Sequence, residues 1–477
     1  MWKNKENIII KYYKKEKGLL CAFIFFNIAV TILDLTAPLV VKNIIDSAIP
    51  EKNIKILLTL TSFALFLYGV RTLFAVMSFS RGQLMGNKIK YHMRNDLFSH
   101  FLKQSHNFFN KKDIGDLIAR TTSDLESSSQ LLYRGLQDLL ASAGSLIGGF
   151  ALMFLYSPLL AFITFVPLPA GLIFVYTKNK KMKAGYREIR KKNGNFTAVL
   201  YEILKVILFL KDNLLEEKAY KKFLKANDEL LKTEKKNFLN VGIFMAGVTF
   251  YVHLTQLILI GAGGILFIKG KITIGVIVSF LLLVDRFKIS LIKLAGLTDT
   301  YHKGRAGINR FEEMLNIDLS LPDGTEELKD KFEILEFKNV SFSYSKNIPV
   351  LNNLSFEIKK GEKIAVVGKS GTGKTTLMNL IKRNYFADTG SISINIDYKN
   401  LTRKSVLSLM GVIEQKENLL EDTIENNIGI VTENFSENDI KKSSEKADIS
   451  ETIEKLPEKY KTILGSRGTA LSTGQSQ

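Results

Sequence analysis

The sequence predicts a multi-domain protein: an all-α polytopic membrane domain with six transmembrane helices and long cytoplasmic extensions, followed by an incomplete α/β domain of the P-loop type. Three observations predict it. Long apolar runs with few or no charges recur through residues 18–296. The composition then turns polar, with Pro322 and Gly324, before an alternation of apolar and polar residues begins. A glycine-rich motif then sits between an apolar stretch and a helical one. The expected bounds are 1–315 for the membrane domain, 316–330 for a linker and 331–477 for the α/β domain.

Composition sets the outer limits. A chain of 477 residues is long enough for several domains. A hydrophobic fraction of 46% and an aromatic fraction of 10% exclude disorder for most of it. The formal net charge of +19 suits nucleic acid, an anionic membrane surface or positively charged cytoplasmic loops. A single cysteine, Cys21, excludes an internal disulfide and a Cys-rich zinc site.

The spans follow in order. Gly18 to Val41 carries only Asp34, and Ile56 to Met77 only Arg71. Leu139 to Tyr156, Leu159 to Thr177 and Val241 to Ile268 carry no charge. Ile272 to Gly296 starts apolar and becomes charged. A hydrocarbon core of ~30 Å needs about 20 residues of apolar helix, which these runs supply. The opening MWKNKENIIIKYYKKEKG resembles the start of a signal peptide, but the apolar run behind it is too long, so it reads as a retained anchor. Lysine and arginine set the orientation. The N-terminal arm and KNKKMKAGYREIRKKN, after the fourth span, are dense in both, whereas SAIPEKN, YSP and KGK are short. Both termini are therefore expected in the cytoplasm, with the chain multi-pass in the cell membrane among its lipids. These loops account for much of the +19, so nucleic acid is not an expected partner.

Proline spacing bears on helix length. No proline lies between Pro50 and Pro158, or between Pro169 and Pro322. Helices can then run on unbroken. Ile54 to Lys103 is expected as one helix of ~75 Å, more than twice the bilayer core. The segments flanking the loop between the fourth and fifth spans are read the same way. Long inner projections with short outer loops suggest levers reaching a cytoplasmic domain.

The chemistry sits at GKSGTGKTT, Gly368 to Thr376, which matches G-x-x-x-x-G-K-[ST]. KIAVV before it reads as a strand and LMNLIKRNY after it as a helix. Gly368, Gly371 and Gly373 let backbone amides turn toward phosphates, and the helix adds its positive end. Lys369, Ser370, Thr372 and Thr376 complete the loop; Lys374 can reach terminal phosphates and the Thr375 hydroxyl can ligate Mg²⁺. Tyr344, 24 residues before Gly368, offers a ring for stacking on adenine. Gln415 follows a short apolar strand and can touch Mg²⁺ and an attacking water.

Taken together, the chain resembles a half-size ABC transporter of the export type over nearly its whole length. FFNKKDIGDLIARTTSDL in the first inner loop, AGINRFEEMLN before the linker, the phosphate loop, EDTIENNI after Gln415, and LSTGQ, Leu471 to Gln475, at the signature position carry the resemblance in family order. It implies a P-loop ABC ATPase domain that binds ATP with Mg²⁺. It implies that Tyr344 stacks on adenine, that Lys374 and Gln415 serve catalysis, and that Thr375 and Gln415 hold Mg²⁺. Ser472, Gly474 and Gln475 would contact ATP held by a second half-transporter, in a homodimer or a heterodimer. The first inner loop, near Phe108 to Asp124, and the second, near Val206 to Tyr220, would carry motion into the membrane helices. Two positions depart from the family: Thr473 stands where a glycine is usual, and Ser466 where a glutamate is.

The family has an Asp-Glu strand and a switch histidine beyond the signature. None of the five histidines, His92, His100, His106, His253 and His302, follows the phosphate loop. The sequence is therefore expected to be a fragment of a longer protein, with a truncated gene or a naturally short subunit as alternatives, and inactive as an ATPase on its own. Two function classes stand: an exporter of an amphipathic cargo (lipid, drug or peptide), and a non-hydrolysing subunit that binds ATP and regulates a catalytic partner. For cargo, Asp34 and the sixth-span residues Asp285, Arg286, Lys288 and Lys293 are the pointers, because ionisable groups at membrane depth face a bundle interior or a wet cavity. Asp285 and Lys288 are spaced to pair, and Arg286 and Lys293 to share one face, which would attract anionic or amphipathic molecules.

Overall fold

A computed structural model describes residues 8–317, 323–328, 332–344, 348–413, 419–432, 434–464 and 471–476, without the side chains of residues 168, 172 and 473. The chain forms two compact units, one of Met1–Gln104 and Phe108–Leu319, the other of Ser105–Asn107 and Ser320–Gln477.

The first unit is helical throughout. Helix α1 (Ile8–Lys15) buries Tyr12, whose hydroxyl donates to Asp96 at 2.8 Å. Helix α2 (Lys17–Asn43) runs on through a wider turn at Ile44–Ala48. Asn53 then caps α3 (Ile54–Leu102), accepting from the backbone N–H groups of Lys55 and Ile56 at 3.0 and 3.2 Å. The expected single long helix forms: the 49 residues of α3 span ~74 Å at 1.5 Å each. The third apolar run ends in α4 (Leu136–Tyr156). The fourth forms in two pieces, α5 (Pro158–Phe165) and α6 (Leu168–Lys205), because Pro167 has no N–H to continue the ladder. Ile207–Asp212 links α6 to α7 (Glu216–Ile268), and α8 (Ile274–Leu315) closes the unit.

Among the described residues, five helical runs are long and apolar enough to cross a membrane: Lys17–Ala48, Ile54–Leu102, Ile114–Tyr156, Pro158–Lys205 and Glu216–Ile268. The sixth expected span forms as the first part of α8 but fails on composition, because Asp285, Arg286 and Lys288 crowd it. A lone charge at the bilayer centre costs about 2.5–3.5 kcal/mol even on insertion scales, so these side chains need partners.

Helix packing follows membrane rules, in which lipid matches apolar contact and close approach decides. Gly144 and Gly148, one turn apart on α4, face Thr31 and Leu35 of α2; an added Cβ would lie 2.9 and 2.4 Å from those side chains. One buried core joins Tyr12, Phe23, Met85, Ile89 and Phe311; a second joins Met153, Leu160, Phe280 and Leu283. The two family-like stretches of this unit meet each other. The Arg310 guanidinium forks onto both oxygens of Asp124, with Nε to Oδ2 at 2.6 Å. Gly307 lies over the Asp124 backbone carbonyl.

The second unit is built on an antiparallel sheet of β1 (Ile334–Ser343), β2 (Pro349–Lys359), β3 (Thr389–Ile394) and β4 (Ile396–Asp397), in the order β2-β1-β3-β4. Helix α9 (Lys374–Ile381) adds Leu377 and Leu380 to a core with Leu335, Phe337 and Ile394. Phe337 sits opposite both Phe356 and Ile392 in the register, and its ring stacks on Phe356 at 4.5 Å.

Two expected strands do not form. KIAVV, residues 363–367, forms no strand and pairs with no described segment, with Ile364, Val366 and Val367 exposed by 52, 50 and 88%. Residues 410–413, before Gln415, are irregular, and Ile413 is 82% exposed. The reason is the same for both. Parallel strands are stabilised by neighbours on each side and cover on both faces, and no described segment pairs with either run. Strand propensity alone does not hold a ladder.

Candidate phosphate-binding site

The loop from Gly368 to Gly373 is shaped by backbone that only glycine takes easily. Gly371 and Gly373 have φ of +87° and +92°, where a side chain strains the chain. A Cβ on Gly373 would also come 2.9 Å from Leu351, so the loop packs directly on β2. Thr372 Oγ1 donates to the Lys369 carbonyl at 2.9 Å and draws the loop into a tight curl.

At the loop's end α9 begins without a side-chain cap. Its first helical bond is Leu377 N–H to the Gly373 carbonyl at 2.8 Å. The N–H groups of Lys374, Thr375 and Thr376 therefore have no acceptor within the helix. Lys374 Nζ lies back over the loop, donating to the carbonyls of Gly368 and Lys369 at 2.7 Å each. Lys369, Ser370 and Thr375 are exposed, whereas Thr376 is buried. Free amides, a helix dipole and the Lys374 ammonium converge here, a donor set suited to a polyphosphate.

Tyr344 is 42% exposed, and its ring meets Phe342 and Tyr385 edge-on at 5.0 and 5.2 Å. Those rings brace it while leaving surface for a base. Gln415 and Ser466 lie outside the described residues. The turn that follows is held by Asn427, whose Oδ1 accepts from Leu420 N–H at 2.8 Å. Its amide nitrogen reaches the carbonyls of Leu420, Asp422 and Thr423 at 3.1, 3.2 and 3.0 Å. The Asn426 amide and the Thr423 N–H hold the Asp422 carboxyl below the usual carboxylate range. EDTIENNI marked this stretch in the sequence, but Asn427 as its brace was not legible there. Among the described residues no group of three or more His, Cys, Asp or Glu could hold a metal ion.

At the signature, Thr473–Ser476 forms one helical turn with a reciprocal cap. Gln475 N–H donates to Ser472 Oγ at 3.3 Å, and Ser472 N–H donates to Gln475 Oε1 at 2.9 Å. Ser472, Gly474 and Gln475 line a cavity of about 800 Å³ with Val412, Ile413 and Val431. No residue of the phosphate loop lines it.

The membrane charges are paired across helices. Asp34 on α2 accepts from Arg71 Nε of α3 at 3.0 Å and lies 2.9 Å from an Arg286 nitrogen of α8. Arg286 and Lys293 line one cavity, as their spacing suggested. Asp285 does not take Lys288 as partner; α8 turns it toward α7, where it accepts from Gln256 at 3.0 Å. The sequence signalled Asp34 and Arg71 as lone charges in apolar runs and Arg286 within the charged part of the sixth, but gave no sign that they meet.

Two family models match. The ABC transporter transmembrane region matches residues 20–287, and the ABC transporter domain residues 351–477. Among similar curated proteins, the uncharacterized ABC transporter ATP-binding protein YfiC of Bacillus subtilis (strain 168) is 30% identical over 98% of this chain and 78% of its own length. The ATP-dependent lipid A-core flippase of Syntrophus aciditrophicus (strain SB) is 29% identical over 92% of this chain and 73% of its own. The multidrug resistance-like ATP-binding protein MdlA of Buchnera aphidicola subsp. Schizaphis graminum (strain Sg) is 29% identical over 98% and 81%.

Proposed function

The chain belongs to the ABC transporter family, with the export-type fusion of membrane helices and ATP-binding domain, and from that membership we propose that it is one half of a dimeric exporter of an amphipathic molecule. The observation that carries this reading is the uncapped start of α9 under Lys374, in the same chain as five long apolar helical runs. ATP binding and ATP-driven transport follow from the family.

In this reading residues 1–315 form the membrane domain, 316–330 the linker and 331–477 the nucleotide domain. The loop amides of Gly368, Lys369, Ser370, Gly371, Thr372 and Gly373 and the first N–H groups of α9 hold the phosphates. Lys374 leaves the Gly368 and Lys369 carbonyls to meet them. Tyr344 stacks on the base. Thr375 and Gln415 would hold Mg²⁺, which when bound neutralises developing charge on the phosphates. Ser472, Gly474 and Gln475 serve a nucleotide on the partner subunit. The family's half-transporter organisation supports this, since a second copy or a related half would supply the other side. Lysine and arginine density within α6, over residues 178–193, supports cytoplasmic termini in the cell membrane.

The test is flux. Inside-out vesicles carrying the protein as its native cells make it should accumulate a fluorescent amphiphile with MgATP and not with ADP, whereas the 477 residues expressed alone should not. Equal accumulation under both would overturn the exporter reading. The dimer is tested separately. Cys21 is the only cysteine, so in a Cys21→Ser background carrying Ser370→Cys and Ser472→Cys a disulfide-linked dimer band reports contact between chains. We expect an ATP-promoted disulfide dimer; a monomer under oxidation at all ATP concentrations would exclude pairing between copies of this chain.

A further inference from the structure

We infer that the cavity around Asp34, Arg71 and Arg286 is a binding site for an anionic, hydroxyl-bearing headgroup. It has a volume of about 260 Å³ and lies among α2, α3, α4 and α8. At ~30 Å³ per water it holds the equivalent of about nine waters, enough for a phosphate with a small polyol and too small for acyl chains. The chains of a lipid would have to lie outside it.

Charge points to an anion. Two guanidiniums share one carboxylate: Arg71 meets Asp34 at 3.0 Å and Arg286 meets it at 2.9 Å. Lys293 lines the same cavity, with Asp138 as its nearest carboxylate at 3.8 Å. The lining therefore carries an excess of positive charge within apolar helices. Arginine forks suit phosphate and carboxylate in a way that a lone carboxylate does not exhaust.

An independent observation points to hydroxyls. Asn27, Ser78 and Ser142 line the cavity, are 4, 2 and 1% exposed, and each carries a side-chain oxygen without a hydrogen-bond partner. Buried polar atoms are normally satisfied, so three around one cavity, one each from α2, α3 and α4, call for a ligand or water. The two serine hydroxyls can donate to an anionic oxygen, and Asn27 Oδ1 can accept from a ligand hydroxyl. Asp34 acts as a resident counterion that an incoming anion displaces.

As cargo recognition, the site rests on the exporter reading; as binding, it does not need ATP. The experiment measures binding without nucleotide, on the full chain in detergent, by native mass spectrometry. Phosphatidylglycerol is compared with phosphatidylcholine of the same acyl chains, and inorganic phosphate and glycerol 3-phosphate serve as competitors. We expect phosphatidylglycerol to bind at least tenfold tighter than phosphatidylcholine. Arg286→Gln and Arg71→Gln should each erase that preference, Arg286→Lys should keep part of it, and Asp34→Asn should raise phosphatidylglycerol affinity several-fold. Competition by glycerol 3-phosphate at millimolar concentration would assign the same site to a soluble phosphate; its failure would assign it to the amphiphile.

The sign of the Asp34→Asn effect separates the proposal from a purely structural ion cluster, which predicts a lower thermal midpoint with no gain in binding. Equal binding of both lipids, or arginine variants that unfold no earlier and bind as before, would overturn it. MgATP binding measured on the same samples stays independent, so a negative lipid result leaves the transporter reading intact, and a failure to bind ATP leaves the lipid result standing.

Discussion

Replacing Lys374 with alanine is expected to weaken MgATP binding at least tenfold and to reduce ATP-driven flux to background. The ammonium donates to two carbonyls of its own loop, Gly368 and Lys369 at 2.7 Å each, and among the described residues no carboxylate pairs with it. Exchanging neutral carbonyls for phosphate oxygens gains a hydrogen bond between full charges. Bonds to charged groups are worth ~1.5–3 kcal/mol, or roughly 10- to 150-fold in affinity. Stability should be nearly unchanged, because the core of this unit rests on Leu335, Phe337, Leu377, Leu380 and Ile394 and not on Lys374. Lys374→Arg should not rescue, because a planar fork replaces a compact point charge in a loop curled around it. A fluorescent-nucleotide titration decides the matter. An affinity within twofold of wild type, at an unchanged thermal midpoint, would remove Lys374 from the site and the phosphate-loop reading with it.

The sequence is informative where the cause of structure is local. The 49-residue α3 follows from the want of a proline and a run of helix-compatible residues, both visible without a structure. The phosphate loop follows from glycines whose positive φ the motif requires. It is silent or misleading where the cause is a distant neighbour. Residues 363–367 look like a strand because their composition fits one, but a ladder needs a partner, and no described segment supplies it. The Asp34 cluster fails in the opposite way: each charge is conspicuous, but its pairing depends on how α2, α3 and α8 are rotated. Spacing along α8 suggested Asp285 with Lys288, and rotation gave Asp285 to Gln256.

Rotation and close approach also underlie the largest expected effect in the helical unit. Gly307→Leu should lower the thermal midpoint by several degrees and abolish flux while leaving MgATP binding intact. At Gly307 a Cβ would lie 2.5 Å from the Asp124 carbonyl oxygen and 2.5 Å from Ser128 Oγ; at Gly304 it would lie 2.4 Å from Leu131 Cβ and 2.9 Å from the Ser127 carbonyl. Backbone carbonyls cannot move aside as a flexible side chain can, so α8 would have to lift from the first inner loop. Overpacking of this kind costs about 1–3 kcal/mol. The lift also opens the fork between Arg310 and Asp124, one turn further along. Because the Arg310 side chain is 42% exposed, that loss adds only at the low end, about 0.2–1 kcal/mol. Asn309→Leu, on the exposed side of the same turn, should change neither readout. Arg310→Lys keeps the charge and loses the fork, and tests the contact if Gly307→Leu does not fold. Full flux in both variants would mean that this contact does not couple the inner loop to the membrane helices. Lost flux with normal nucleotide binding would locate the coupling there, on two glycines and an ion pair rather than at the phosphate loop itself.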